Sequence, residues 1–318
     1  MDVFRSLDEI PAPPAPRAVA LGNFDGLHLG HRRIIERLRK EAAARALPAC
    51  VLTFAPHPEK VFGPARLCML QTLDQRLEGL CRMGIDAAIV LPFSRAFARI
   101  PGDVFIRDVI RDGLNVRLVV VGRDFRFGRD RAASVDDLRR RGRVEGFSVR
   151  AVPHVKHRGR IVRSSRIRDL LIEGRVEQAS MLLGHPFTIE GDVVGGEKRG
   201  RRLGFPTANL VTPNELVPRG VFVTNLVWEG RVHPSITSVG VRPTFRTHQV
   251  TLETHVLDFD GDLYGASIGL AFLKRLRDEK KFPDVTALRR QVEKDSANAR
   301  AYFRTCRSAA PFEARPAK

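Results

Sequence analysis

The sequence predicts an α/β domain followed by an all-β domain. Three observations carry this. Over the first half, short, wholly apolar strand-like runs alternate with helical periods. Over the second half, β-branched segments are separated only by Gly and Pro turns. The length of 318 residues is about two domains' worth. Hydrophobic residues make up 43% and charged residues 28%, a balance that excludes global disorder, a collagen-like chain and a small disulfide scaffold. No apolar run approaches the ~18 residues of a membrane helix.

In chain order, the Pro/Ala stretch 11–16 leads into a first strand, 18–21, apolar on both faces as a parallel strand covered by helices must be. A loop, 22–30, follows. From His31, the positions Ile34, Ile35, Leu38 and Ala42 recur at helical spacing. Residues 50–54 read as a strand, 73–83 as a helix, 87–91 as a strand, 104–110 as a helix and 118–121 as a strand. This is the rhythm of a parallel sheet with right-handed crossovers. After about residue 185 the helices stop. Segments 187–194, 221–227, 235–239, 252–259 and 266–272 read as a small antiparallel β-barrel or sandwich. A terminal helix with Val285, Leu288, Val292 and Ala299 on its stripe closes it. The expected domains are 1–184 and 185–306, with a flexible Pro/Ala-rich tail over 307–318.

Charge is the unusual feature. Lys and Arg total 54 against 36 acidic residues, a net +18. Nucleic acid, polyphosphate and an arginine-rich compositional bias all account for such a surplus. Aromatic residues are only 7%, with one Trp and two Tyr, so the stacking platform of a nucleic-acid binder is missing. No specific nucleic-acid partner and no membrane association are expected. Cys50, Cys68, Cys81 and Cys306 form no C-x-x-C pair and read as buried thiols in a reducing compartment. The N-terminus has neither a basic n-region nor an apolar h-region, so the expected location is cytoplasmic.

The first chemical constellation is Gly22-Asn23-Phe24-Asp25-Gly26-Leu27-His28-Leu29-Gly30-His31, where a strand ends and a helix begins. The open end of such a strand is a ligand position, and the helix N-terminus there favours anions. His28 and His31 can donate hydrogen bonds to phosphate oxygens, and Gly30 permits close backbone approach. A metal site built on the two histidines is the alternative.

This string resembles the H-x-G-H nucleotidyltransferases, and in full the adenylyltransferase module of prokaryotic bifunctional riboflavin kinase/FAD synthetases. Three further segments are similar to that module: residues 53–58 (TFAPHP), 121–128 (VGRDFRFG) and 164–168 (SSRIR). The resemblance implies a Rossmann-like fold. It implies a nucleotide site that includes Gly22, Asn23, Phe24, Asp25, Gly30, Asp124, Arg126, Ser164, Ser165 and Arg168, with His28 and His31 catalytic. The serines equally suit a helix N-cap. Arg163 stands where the family more often has a small hydroxyl residue, and Ala132 and Ala133 where a glycine is expected.

The second constellation lies over residues 191–210, without a G-x-x-x-x-G-K-[ST] P-loop anywhere in the chain. Gly195, Lys198, Gly200 and Arg201 form a plausible phosphate cradle, or else a Gly-rich turn with a solvated basic face. Thr207 and Asn209 are two apart, so on an extended segment they share one face and offer oxygens to Mg²⁺. The segment Gly204-Phe205-Pro206-Thr207-Ala208-Asn209 resembles the hallmark of the riboflavin kinase family, and the likeness continues through 239–245, 252–255, 258–265 and 276–282. It implies an antiparallel barrel, a catalytic carboxylate at Glu253, and Arg277, Glu279 and Phe282 framing the flavin. The alternating Asp258, Asp260 and Asp262 hint at Ca²⁺, but the resemblance makes them a structural loop.

The expectation is a bifunctional enzyme that makes FMN from riboflavin and ATP, then FAD from FMN and ATP, both with Mg²⁺. The alternative is a riboflavin kinase whose first module is degenerate or regulatory.

Overall fold

The structure is a computed structural model that describes residues 1–62, 67–195, 205–243 and 248–306. The chain divides into two compact units, Met1–Ser164 and Ser165–Lys318. The expected tail over 307–318 lies outside the described residues.

The first unit is built on β1 (Asp2–Phe4), β2 (Arg17–Leu21), β3 (Ala49–Ala55), β4 (Ala87–Pro92) and β5 (Val116–Gly122). Two short strands, β6 (Arg126–Phe127) and β7 (Ala133–Ser134), form a hairpin ahead of β8 (Ser148–Val152), and β9 (Lys156–His157) and β10 (Arg160–Ile161) form another. Strands β1 to β5 and β8 make one parallel sheet in the order β1-β4-β3-β2-β5-β8. From β2 the chain winds outward through β3 to β4, then returns to β5 on the other side. The order therefore reverses between β2 and β5, and a ligand crevice opens beyond their carboxyl ends.

Helices cover both faces: α1 (Leu29–Ala43), α2 (Pro58–Phe62), α3 (Leu73–Arg82), α4 (Gly102–Val104) running into a π-helical stretch Phe105–Gly113, and α5 (Val135–Glu145). The two-residue alternation of a strand sorts the core. Val19, Leu21, Leu52 and Val119 pack with Phe105, Ile106, Ile110 and Leu138, whereas Ala18, Ala20, Val51 and Val120 pack beneath Ile35 and Leu38 of α1 and Leu80 of α3. Two strands of this parallel sheet escaped the sequence reading. The three-residue β1, which pairs with β4, is too short and polar to show a pattern, and β8 buries little beyond Val149 and Val152. The expected helix over 104–110 is mostly π-helical.

The second unit carries α6 (Ser164–Ile172), which begins at its boundary, and α7 (Val176–Leu183). Six antiparallel strands follow: β11 (Phe187–Val194), β12 (Ala208–Val211), β13 (Gly220–Trp228), β14 (Arg231–Pro243), β15 (His248–Val256) and β16 (Ser267–Arg277). They close as β11-β12-β15-β14-β13-β16, with β16 returning to pair with β11. Closure leaves no edge and decides between barrel and sandwich. Leu210, Phe222, Leu252 and Phe272 fill the interior, and the fully buried Phe222 meets Phe272 edge-on at 5.2 Å.

Helix α8 (Val285–Thr305) covers the outer face at Val221, Val223, Ile236 and Leu273. Its stripe differs from the expected one. Val285 is exposed and Leu288 and Val292 are half-buried, while Asp295, Ser296 and Ala299 are buried. Asp295 tolerates burial because Arg277 donates to its Oδ2 from Nε at 2.9 Å. The cysteines also depart from expectation. Only Cys50 is buried, which pushes its thiol up to about 11, whereas Cys68 is partly buried and Cys81 and Cys306 are exposed. None forms a disulfide.

Candidate functional site

At the end of β2 the chain turns through Phe24 (φ 53°), Gly26 (φ 87°) and Leu27 (φ 41°) before α1 begins. Distant segments hold this strained loop. Asp25, 1% exposed, accepts from the Leu70 amide at 3.0 Å, and Arg76 of α3 donates to the Asn23 carbonyl at 2.7 Å and to Thr53 Oγ1 at 3.1 Å. Ser164 Oγ donates to the Asp25 carbonyl at 2.9 Å, so that hydroxyl ties the loop rather than capping a helix. The Phe24 ring lies where a Cβ on Gly22 would meet it at 3.1 Å.

His28 caps α1. Its Nδ1 accepts from the Gly30 and His31 amides at 3.1 and 3.3 Å. That fixes the tautomer, because the neutral ring must then carry its proton on Nε2. His31 stacks on His28 with ring centroids 3.6 Å apart. Burial pushes the pKa of His28 down to about 4 and holds His31 well below its ordinary value, with the charges of His28 and Arg76 adding to the effect on His31. At neutral pH the pair is two uncharged donors at a helix N-terminus, beside the buried Arg76 cation. Gly30 leaves room for the His28 ring, since a Cβ there would lie 3.0 Å from it and would press the imidazole aside by a few tenths of an ångström.

Next to the β2/β5 crevice, a cavity of about 530 Å³ is lined by Arg123, Asp124, Phe125, Arg126, Ser134 and Arg139, among others. Asp124 and Arg126 are exposed there. Arg163 pairs with Asp124 at 3.8 Å, and His154 at 3.7 Å. Ala132 has φ −68° and ψ −36°, ordinary right-handed values that need no glycine, and Ala133 is part of β7. The glycine this loop does require is Gly128 (φ 70°), where a Cβ would strike the Gly102 backbone at 2.7 Å. A row of rings, Phe54, Phe93 and Phe97, with centroids 5.4 to 5.7 Å apart, extends from the end of β3, and the largely exposed Phe62 meets Phe93. Ser165 is exposed, and Arg168 is half-buried in α6.

In the barrel, Asn209 of β12 stands directly opposite Glu253 of β15, and Glu253 opposite Ser238 of β14. Glu279 lies against Gly240, two residues along β14 from Ser238 and therefore on the same face. Arg277 is committed within the fold. Besides Asp295, it donates to the Asp278 carbonyl at 2.9 Å, and its guanidinium lies 5.7 Å from the Phe282 ring centroid. Phe282 has Lys280 at 5.2 Å as well. Thr207 lies on the wall of a cavity of about 330 Å³ that also takes in Pro206, Thr254, Leu263 and Tyr264. Gly195 follows the end of β11, and Lys198, Gly200 and Arg201 lie outside the described residues.

Among the described residues, no group of three or more His, Cys, Asp or Glu is placed to hold a metal ion. In the aspartate-rich loop, Asp262 accepts from the Tyr264 amide and Asp258 pairs with Arg300. The donors present near Thr207 are instead hard oxygens, a hydroxyl and a carboxamide with a carboxylate opposite, a set that fits Mg²⁺.

Sequence reasoning missed Arg76, the phenylalanine row and the meeting of the segments that wall the barrel cavity. Arg76 had a signal, a charged residue interrupting the α3 stripe of Leu73, Leu77 and Leu80. Most of the cavity walls lie in the segments 204–209, 252–255 and 258–265 that carry the resemblance, but nothing in them told that they meet, because strand closure brings them together.

Residues 10–166 match the family model described as FAD synthetase, and residues 183–303 match that described as Riboflavin kinase. The chain is 35% identical over 298 residues to the bifunctional riboflavin kinase/FMN adenylyltransferase of Escherichia coli (strain K12), covering 92% of this chain and 94% of that one. The protein of the same name from Bacillus subtilis (strain 168) is 35% identical over 304 residues, with coverage of 92% and 94%. A crystal structure described as a macrolide-efflux protein from Streptococcus pneumoniae superposes with a TM-score of 0.86 at 30% identity, covering 94% of this chain and 98% of that one. Among the described residues here, no helix is long and apolar enough to cross a membrane.

Proposed function

Because the chain belongs to the bifunctional riboflavin kinase/FMN adenylyltransferase family, we propose that its barrel unit phosphorylates riboflavin to FMN and its α/β unit adenylylates FMN to FAD, each from ATP. The observation that carries this is the pair of neutral imidazoles at the N-terminus of α1, outside the sheet's switch point.

In adenylyl transfer, a phosphate oxygen of FMN attacks the α-phosphorus of ATP and pyrophosphate leaves. The nucleophile is already an anion, so the site needs donors and positioning rather than a base. His28 supplies the Nε2 proton as a hydrogen-bond donor, His31 stacks behind it, and Arg76 adds fixed positive charge beneath the loop. The row Phe54, Phe93 and Phe97 with Phe62 offers an apolar face for an isoalloxazine ring. Ser165 and Arg168 as partners of the leaving phosphates rest on the resemblance alone. The intact cap at His28 counts against a degenerate first module.

In the kinase reaction, the nucleophile is a primary alcohol. Glu253 orients the riboflavin hydroxyl and accepts its proton as the γ-phosphoryl group transfers. Thr207 and Asn209 would hold Mg²⁺, which when bound neutralises phosphate charge. Glu279 and Phe282 border the flavin, while Arg277 acts through its contacts with Asp295 and Phe282. The modules over 1–184 and 185–306 and a cytoplasmic location belong to the same proposal, and four cysteines outside any disulfide suit a reducing compartment.

A product time course from riboflavin and Mg-ATP tests this. FMN should appear first, then FAD with equimolar pyrophosphate. Well-folded protein that makes neither product overturns the reading, and FMN alone would return the α/β unit to the degenerate alternative.

A further inference from the structure

We infer that Gln291 of α8 is a positioning residue of the kinase reaction: its amide links Lys280 to the buried Asp295–Arg277 pair and so holds residues 277–282 in place. This rests on the reading that Glu279 and Phe282 of that segment border the flavin.

Beyond the end of β16, residues 278–282 belong to no strand or helix. Side-chain contacts must therefore set the place of Glu279 and Phe282. Two such contacts staple the segment to α8. Arg277 meets Asp295 Oδ2 from Nε at 2.9 Å and from Nη2 at 2.8 Å. Lys280 Nζ donates to Gln291 Oε1 at 2.8 Å. Gln291 and Asp295 are four apart, so they stand on one face of the helix, and Gln291 Nε2 donates to Asp295 Oδ1 at 2.9 Å. One chain of contacts thus runs from Lys280 through Gln291 and Asp295 to Arg277.

Charge orders that chain. An ammonium can only donate and a carboxylate can only accept, so the Gln291 amide turns its oxygen to Lys280 and its nitrogen to Asp295. Both bonds are to charged groups, the stronger kind. A carboxylate at 291 would oppose Asp295 and an ammonium would oppose Lys280, whereas a neutral amide serves both. Asp295 engages both oxygens, one with Arg277 and one with Gln291, as a buried carboxylate must.

The staples hold what lies between and beyond them. The Arg277 guanidinium and Lys280 Nζ lie 5.7 and 5.2 Å from the Phe282 ring centroid, where both attract the ring. Glu279 lies between the staples and against Gly240, so close that a Cβ there would clash with its carboxylate. Gly240 is two residues from Ser238, which stands opposite Glu253. The network therefore sets the flavin border against the face that carries the proton acceptor. Releasing it weakens the hold on riboflavin in the ground state and the transition state alike, which raises KM and spares kcat.

The test is riboflavin phosphorylation by the whole chain, comparing wild type, Gln291→Met, Lys280→Met and the double variant. Methionine keeps a long side chain and removes the polar contact. Gln291→Met should raise the KM for riboflavin roughly three- to tenfold, with kcat and the KM for ATP unchanged. The riboflavin dissociation constant, read from quenching of flavin fluorescence, should rise by the same factor. Lys280 is exposed, so Lys280→Met breaks the same bond without endangering the fold, and it should give a similar rise. Because both act through one bond, the double variant should be no worse than the more affected single. An unchanged riboflavin KM in either active single variant overturns the inference. So does a loss confined to kcat, an equal rise in the KM for ATP, or a double variant whose rise is the product of the singles. Wild-type protein that phosphorylates no riboflavin overturns the kinase reading and the inference with it.

Discussion

The two units assemble their sites in different ways. In the α/β unit, ten consecutive residues make the centre of the site, and long-range hydrogen bonds from Leu70 and Arg76 fix their strained path. In the barrel, no segment makes the site alone. Asn209 meets Glu253 because β12 and β15 pair in one register, and Glu279 reaches the same face from the end of β16. The first arrangement fixes atoms by buried polar contacts and is exposed to proton chemistry and small steric changes. The second fixes positions by strand pairing, so single side chains on the outer face can be exchanged without moving their neighbours.

The largest test follows from that tolerance. Glu253→Gln keeps the size of the side chain and the pairing with Asn209 and Ser238, yet removes the proton acceptor. Riboflavin phosphorylation should fall by about 10²–10⁴-fold, while FAD formation from supplied FMN stays at the wild-type rate. A kinase loss of less than about tenfold would place proton acceptance elsewhere, since one positioned general base contributes more than that.

Next comes the response to acid, which should originate in the α/β unit. His28 and His31 have folded pKa values below those of the unfolded chain. Between about pH 6.5 and pH 4 the unfolded state therefore binds more protons, and stability rises with pH. The contribution is complete above pH 6.5 and is lost as pH falls toward 4. With His28 near 4, that residue alone accounts for on the order of 3 kcal/mol. Urea unfolding of the wild type and of His28→Asn, followed from pH 7 to 4.5, should show a flatter profile in the variant. Parallel profiles would mean that His28 titrates alike in both states.

The contrast between the units also explains what the sequence made legible. The α/β strands at 18–21, 50–54, 87–91 and 118–121 were readable because burial on both faces leaves apolar runs. The string 22–31 was readable because its chemistry is contiguous. The Arg76 anchor was hidden by a separation of 53 residues from Asn23. The barrel's other strand segments showed, but the sixth strand, β12, did not, because only Leu210 of its four residues is buried and motif residues surround it. The face shared by Glu253 and Glu279 depends on a register that only closure sets. Arg277 shows the limit of motif reading. The motif marks it for the flavin, while the fold commits its guanidinium to Asp295, a partner placed by a helix turn that the apolar stripe could not foretell.

The smallest test asks how finely the α/β site is set. In Gly30→Ala, the new Cβ would lie 3.0 Å from His28 Cε1 and 3.2 Å from Nδ1. Those contacts are tighter than an ordinary Cβ makes, and the flexible partner is the imidazole, so the ring should tilt away while α1 remains. Nδ1 then leaves the Gly30 and His31 amides and loses the acceptor role that fixed the proton on Nε2. FAD formation should fall by roughly 10–100-fold, with riboflavin phosphorylation unchanged. The ¹⁵N shifts of His28 should move from the Nε2-protonated tautomer toward a mixture. A full loss of activity with the tautomer intact would instead locate the need for Gly30 in close approach of the ligand to the backbone, and would detach the role of His28 from its cap.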